Sequence, residues 1–304
     1  MAAASTGKIS RQFALPLLTA GLLLGSPLLA QVAAPASAPR PDPWPGFKKV
    51  LAIGETSTAF QHDSISHALA TIERLGRESG LYMTIIRTDT QLVTKAPVRN
   101  GETPVLNAKN LDFFDAIFFF GAGPGTLDEQ QMADLLSFVR DDGKGFVAAH
   151  TGVNAFQGHP GYRDMIGGLW DHPWTKAERL EVDLPIVVED PQFPAMQGLP
   201  ATFRVHDEAA VHQAPYSRDN VRVLASVDLD QLDPELGRSP ATDRDVPIAW
   251  AREYGKGRVF YSVLGHSDQS WDDPLVQQLF LNALRWSLGL VEGDATPLGK
   301  PAGR

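Results

Sequence analysis

From residue 48 onward, short unbroken apolar runs alternate with stretches whose apolar positions recur at helical spacing. Ala116–Phe120 (Ala-Ile-Phe-Phe-Phe) and Phe146–Ala149 (Phe-Val-Ala-Ala) hold no polar residue, which predicts strands covered on both faces. Lys49–Gly54 and Tyr82–Arg87 predict two further strands. Between them Ile65, Leu69, Ile72 and Leu75 mark one face of a helix, with Asp63 as its expected cap and Gly80 as its stop. Met132, Leu135, Leu136 and Val139 mark a second helix, and Thr126-Leu-Asp-Glu129 reads as the capping box that opens it. Gly143 and Gly145 end that helix and lead into the Phe146 run. Strand and helix in alternation mean a mostly parallel sheet with helices on both faces.

The second half is less regular. Gly158–Gly167 predicts a short helix, and Leu180–Val188, Val221–Val227 and Val246–Arg252 predict strands. Tyr254-Gly-Lys-Gly257 is a hairpin turn into a strand from Arg258 to Leu264. Antiparallel pairing across that turn is expected to set Asp243 and Asp245 beside His266. Asp272-Asp273-Pro274 caps a last helix, with Leu275, Leu279, Leu281 and Leu284 toward the core and Gly289 beyond its end.

Composition narrows the function classes. The 304-residue chain carries a formal net charge of -9 and no Lys/Arg-rich run, which argues against nucleic acid as a partner. It contains no cysteine, so a disulfide framework, a lipid anchor on Cys and a thiolate nucleophile are all excluded. Lys8 and Arg11 precede an apolar segment from Phe13 to Ala30, broken by Gly and Pro, and Ala36-Ser37-Ala38 offers a small-x-small cleavage site. Residues 1–38 are therefore expected to be a signal peptide, with Leu28-Leu29-Ala30 as an earlier cleavage alternative. The run is short for an uncleaved anchor helix. Cleavage would leave a periplasmic or secreted protein with no stable membrane span. Residues 39–47 read as a Pro/Ala-rich linker, 48–290 as the folded domain, and 291–304 as a flexible tail.

The candidate chemistry lies where the strands stop. His62 follows the first strand, His150 the Phe146 run and His266 the last strand. Ligands bind at the carboxyl edge of an open α/β sheet, and an imidazole there can act as acid, base or metal ligand near neutral pH. The three are expected to line one pocket. His206-Asp207-Glu208 sets an imidazole beside two carboxylates, a grouping used for metal binding or proton transfer. Gly121-Ala-Gly-Pro-Gly125 follows the third strand but is not a dinucleotide loop: Pro124 removes a phosphate-facing N–H and no helix starts in register. Gly123 is expected to allow close backbone approach to the site. No nucleotide cofactor is expected.

Taken together, the motifs Phe60-x-His62-Asp63-Ser64, Gly145-Phe-x-x-x-His150-Thr, Gly168-x-x-x-His172-Pro173, His206-Asp207-Glu208, and Pro247-x-x-Trp250 followed by Gly255-Lys-Gly-Arg-Val-Phe-Tyr-x-x-Leu-Gly-His266 resemble the ThuA-like family. The resemblance runs from about Lys48 to Leu288. It implies a three-layer α/β/α fold like that of class I glutamine amidotransferases, with a mostly parallel, flavodoxin-like sheet and an antiparallel hairpin. It also implies a place in bacterial carbohydrate metabolism (trehalose utilisation), including disaccharides oxidised at the 3-position. The chain departs from the pattern at Ala210, where relatives often carry Tyr. Glutamine hydrolysis itself is excluded, since His150 stands where those enzymes carry the nucleophilic Cys and no Gly-x-Ser-x-Gly elbow is present.

A small-molecule sugar is thus the expected partner. His150, Asp207 and Glu208 are the expected acid/base residues, and His62, His172, Trp271 and Gly123 the expected substrate contacts, with Trp271 stacked on a pyranose ring. A divalent metal held among His62, His150, His206 and His266 would suit Zn, Mn or Fe. Two classes of function follow: a sugar-active hydrolase, lyase or isomerase, and a non-catalytic sugar-binding or scaffold module that kept the pocket.

Overall fold

The computed structural model describes residues 42–57, 60–236 and 245–300. The expected signal peptide, the start of the linker and Asp243 lie outside these residues. Within the unit from Asp42 onward, the first strands and helices follow the expected alternation: β1 (Lys48–Gly54), α1 (Ile65–Ser79), β2 (Tyr82–Arg87), a small hairpin of β3 (Arg99–Asn100) and β4 (Thr103–Pro104), β5 (Ala116–Phe120), α2 (Glu129–Arg140) and β6 (Gly145–Ala149). The remainder comprises α3 (Pro160–Ile166), β7 (Leu169–Pro173), β8 (Glu181–Val188), β9 (Thr202–Glu208), β10 (Ala210–Gln213), β11 (Arg222–Val227), β12 (Pro247–Tyr254), β13 (Gly257–Ser262), α4 (Asp268–Asp272) and α5 (Pro274–Ser287).

Nine strands form one sheet in the order β2-β1-β5-β6-β13-β12-β11-β8-β9. The first five run parallel, β13 joining the parallel set beside β6. Each of the last four is antiparallel to its neighbour, so the expected hairpin is the start of a longer antiparallel half. Phe118–Phe120 show why the central strands are wholly apolar. Phe118 and Phe120 face the α4/α5 layer, where Phe118 meets Trp271 and Phe280, while Phe119 faces Phe156 on the other side, near Tyr162 of α3. A polar group on either face would be buried without water.

Two capping expectations change in the structure. The capping box of α2 is Asp128 with Gln131, which leaves the Thr126 hydroxyl free to donate to the buried Glu55 carboxylate at 2.6 Å. At α1 the cap position falls on Ser64, not Asp63, and its hydroxyl donates instead to the His266 carbonyl at 2.8 Å. Both side chains leave local helix duty to tie together loops at the carboxyl edge of the sheet.

The ribbon formed by β8 and β9 positions a further part of the site. Seven residues of β8, Glu181–Val187, pair with β9, but only Ile186–Val188 pair with β11. Residues 181–185 and 204–208 therefore run past the sheet as a two-stranded extension. Since β8 enters from the carboxyl edge, the extension carries Asp207 and Glu208 to the edge where β6 and β13 end. The Asp245 carboxylate accepts from Tyr216 Oη at 2.7 Å and from Arg218. Arg218 also pairs with Glu189 at 2.7 Å, so a partly buried Arg is balanced by two carboxylates. Residues 291–296, expected in a flexible tail, pack through Trp286 Nε1 on the Gly293 carbonyl and a buried Ala295.

Candidate metal centre

His150 follows β6 without a spacer and takes φ +48°, a left-handed conformation that costs a side-chain-bearing residue some strain. That turn aims the ring across the sheet edge. Its Nδ1 lies 2.8 Å from the Val263 carbonyl, which can only accept, so Nδ1 carries the proton and Nε2 offers a lone pair. The lone pair meets His62 Nε2 at 3.0 Å and His266 Nδ1 at 3.1 Å. Nitrogens of the three imidazoles all lie within 4.8 Å of one another. Glu208 stands against two of them, its Oε2 2.9 Å from His266 Nδ1 and 3.6 Å from His150 Nε2.

The electrostatics favour neutral imidazoles at His62 and His150. Burial holds His62 down to about 4, and the charge of His266 adds to the effect. His150, enclosed by both other rings, is held well below its ordinary range for the same reason. Desolvation also pulls His266 down, but the hydrogen bond and charge of Glu208 outweigh it and leave His266 raised. Two imidazoles are thus neutral at pH 7. Three atoms bound tetrahedrally to one ion at about 2.0–2.2 Å would lie roughly 3.3–3.6 Å apart; His150 Nε2 lies 3.0 Å and 3.1 Å from the nitrogens of His62 and His266, and all three fall within 4.8 Å of one another. The His150–Val263 contact is of the kind that would fix tautomer and ring if His150 held a metal. His62 Nδ1 is buried with no partner among the described residues. The donor set fits Zn, Mn or Fe.

Asp207 does not face the cluster. Its Oδ1 accepts from the backbone of Glu208 at 2.7 Å and His266 at 3.1 Å, and its Oδ2 from Gly265 N at 2.7 Å and from Ser270 Oγ. Burial raises its carboxyl to about 6 even though all four donors act to lower it. Four donors saturate this carboxylate and leave it no lone pair for substrate. It clamps the Gly265–His266 turn, where Gly265 takes φ +117° and a Cβ would come within 2.8 Å of the Trp271 ring.

Other expected site residues are placed differently. Trp271, expected at the mouth, is fully buried, stacked 4.7 Å from Phe280 with its Nε1 donating to Gly265 O at 3.0 Å. It supports the His266 turn from beneath. His206 is not in that cluster: it pairs at 2.9 Å with Asp183 in a solvent-exposed contact. His172 pairs with the adjacent Asp171 at 2.9 Å, half-exposed, and no contact joins it to the cluster among the described residues. Gly123 takes φ +80° and its N–H donates to Asn154 O at 3.1 Å, tying the loop after β5 to the turn after His150.

Sequence reasoning missed Trp170, whose ring lies 5.4 Å from that of His150. It also missed Glu181, which pairs across the ribbon with Glu208 and adds to the raised affinity of His266 for its proton. The Glu181 position becomes readable only from strand register. Trp170 carried a local signal, two residues before His172.

Residues 49–287 match the family model described as ThuA, trehalose utilisation. A ThuA-like protein from Bacteroides uniformis has the same fold, with a TM-score of 0.60 at 19% identity over 84% of this chain and 95% of that one. A ThuA-like protein from Parabacteroides merdae gives a TM-score of 0.58 at 17% identity, over 80% and 90% of the two chains. No curated protein matches this chain.

Proposed function

The chain belongs to the ThuA family, which implies a role in trehalose utilisation, and from that premise we propose that it is an exported, metal-dependent enzyme acting on a sugar or a 3-keto-glycoside. The observation that carries the reading is the convergence of His62, His150 and His266 beside the carboxylate of Glu208. Composition alone leaves a binding module open, but a stacking pocket has no need of three imidazoles and a carboxylate in mutual contact.

His62, His150 and His266 would hold the ion. When bound, a divalent ion there supplies Lewis acidity, polarising a carbonyl or hydroxyl oxygen and acidifying bound water. The chain's own groups do the rest. Val263 O accepts from His150 Nδ1 and keeps Nε2 free of a proton. Asp207 and Ser64 hold the His266 backbone from both sides, one accepting from its N–H and the other donating to its carbonyl. Glu208 Oε2, facing His266 Nδ1 and His150 Nε2, is the group placed to take a proton from a substrate hydroxyl and return it. Phe120, with its ring 5.4 Å from that of His62, walls the cluster off from the sheet below and keeps water from reaching it on that side. Export rests on the basic start, apolar run and small-residue cleavage site read from the sequence.

Metal analysis of the purified protein, followed by turnover assays on glycosides and 3-keto-glycosides, tests the reading. His150→Ala should lose the metal. Glu208→Gln should keep it and lose turnover by about 10²-fold or more, the usual size of a lost general acid or base. Equal turnover by metal-stripped and metal-loaded protein would sink the proposal.

A further inference from the structure

Glu181 opens β8 directly opposite Glu208, the last residue of β9. Opposed residues of an antiparallel pair send their side chains to one face. The next opposed pair on that face, Asp183 and His206, meets at 2.9 Å. Glu208 uses the same face to reach His266 Nδ1 at 2.9 Å and His150 Nε2 at 3.6 Å. Glu181 therefore stands beside Glu208 on the side of the ribbon that meets the imidazoles, and its charge adds to the raised proton affinity of His266.

Folding gives no reason for this pair. Like charges directly opposite each other on two strands are destabilising. Neither carboxylate meets a Lys or Arg among the described residues, and Glu181 Oε1 is buried with no hydrogen-bond partner among them. A buried carboxylate oxygen without a donor is costly until something arrives to satisfy it. Next to a divalent ion the two carboxylates offset its charge. A phosphate or carboxylate ligand would then bring a further negative charge against both, with no cationic side chain to receive it, whereas an uncharged hydroxyl can donate to the free oxygen. We propose that Glu181 is a specificity-determining residue of the metal centre, which turns anionic ligands away from the ion and admits uncharged hydrogen-bond donors. This inference rests on the metal reading above.

The test uses the full chain loaded with cobalt(II), whose visible absorption reports a change of ligand at the ion. It is titrated with acetate, a charged probe, and with imidazole, an uncharged one. Glu181→Gln should bind acetate about tenfold more tightly than wild type, the size of one nearby charge in partly wet protein, and should bind imidazole within about twofold of wild type. Glu181→Asp, which keeps the charge, should stay near wild type for both probes. Cobalt content at saturation should match wild type in both variants. Unchanged acetate affinity in Glu181→Gln refutes the charge selection and leaves the metal site standing. An equal gain for both probes does the same, since it would mean a change of access and not of charge. Wild-type protein that takes up no cobalt would overturn the metal reading, and this inference with it.

Discussion

His212 offers a test of the burial logic at a histidine outside the cluster. It sits in an aromatic box of Trp170, Tyr216, Trp250 and Tyr261, its Nε2 3.3 Å from the Tyr261 hydroxyl and its Nδ1 buried without a partner among the described residues. Burial pushes its pKa from 6.5 down to about 3, against a smaller upward pull from Asp245. The folded pKa is the lower one, so the unfolded chain binds the proton more readily. His212 therefore contributes stability that is fully present above pH 6.5 and is lost as pH falls toward 3. At about 1.4 kcal/mol per pH unit, acidification from pH 7 to pH 4 removes about 3 kcal/mol through this one group. His212→Phe fills the box without a titrating group and should stay within about 1 kcal/mol of wild type at pH 7, the worth of the lost contact to Tyr261. Urea unfolding of both proteins at pH 7 and pH 4 reads the difference. The variant should lose about 3 kcal/mol less than wild type on acidification. Parallel pH profiles would mean that water reaches His212 and that burial does not set its charge.

Three further expectations follow from the site. Asp207→Asn puts an amide NH₂ where one carboxylate oxygen accepted two donors; it should cost about 2 kcal/mol or more in urea unfolding and lower metal content by loosening His266, and wild-type values for both would contradict the clamp. His206→Gln, at an exposed ion pair, should hold stability within about 0.5 kcal/mol and leave metal content unchanged; loss of metal in this variant would return His206 to the ligand set. N-terminal sequencing of the mature protein from a periplasmic fraction should begin between residues 31 and 39, and an intact Met1 in the cytoplasm would rule out export.

The sheet was legible because its signals are local. Phe118, Phe119 and Phe120 can stand in a row only where both faces are covered, and β1, β5 and β6, read as strands from their apolar runs, lie inside the sheet. The convergence of His62, His150 and His266 was legible for a related reason. Each follows a strand of the parallel set, and strands that run one way end at one edge.

What the sequence by itself determined is therefore the parallel half of the fold, its carboxyl edge and three of the residues on it. Tertiary structure alone decided the rest. Asp207 and Glu208 are neighbours in sequence with the same chemistry, yet one is saturated by backbone donors and the other faces two imidazoles, because successive residues of β9 point to opposite faces of a ribbon that overruns the sheet. Ser64 and Thr126 have helix-cap chemistry, but loops distant in sequence arrive closer to their hydroxyls than the local backbone does. Trp271 follows the His266 loop directly, yet packing against Phe118, Phe120 and Phe280 takes it into the core. Such choices depend on which long-range neighbour reaches a side chain first, and periodicity along one segment carries no information about that.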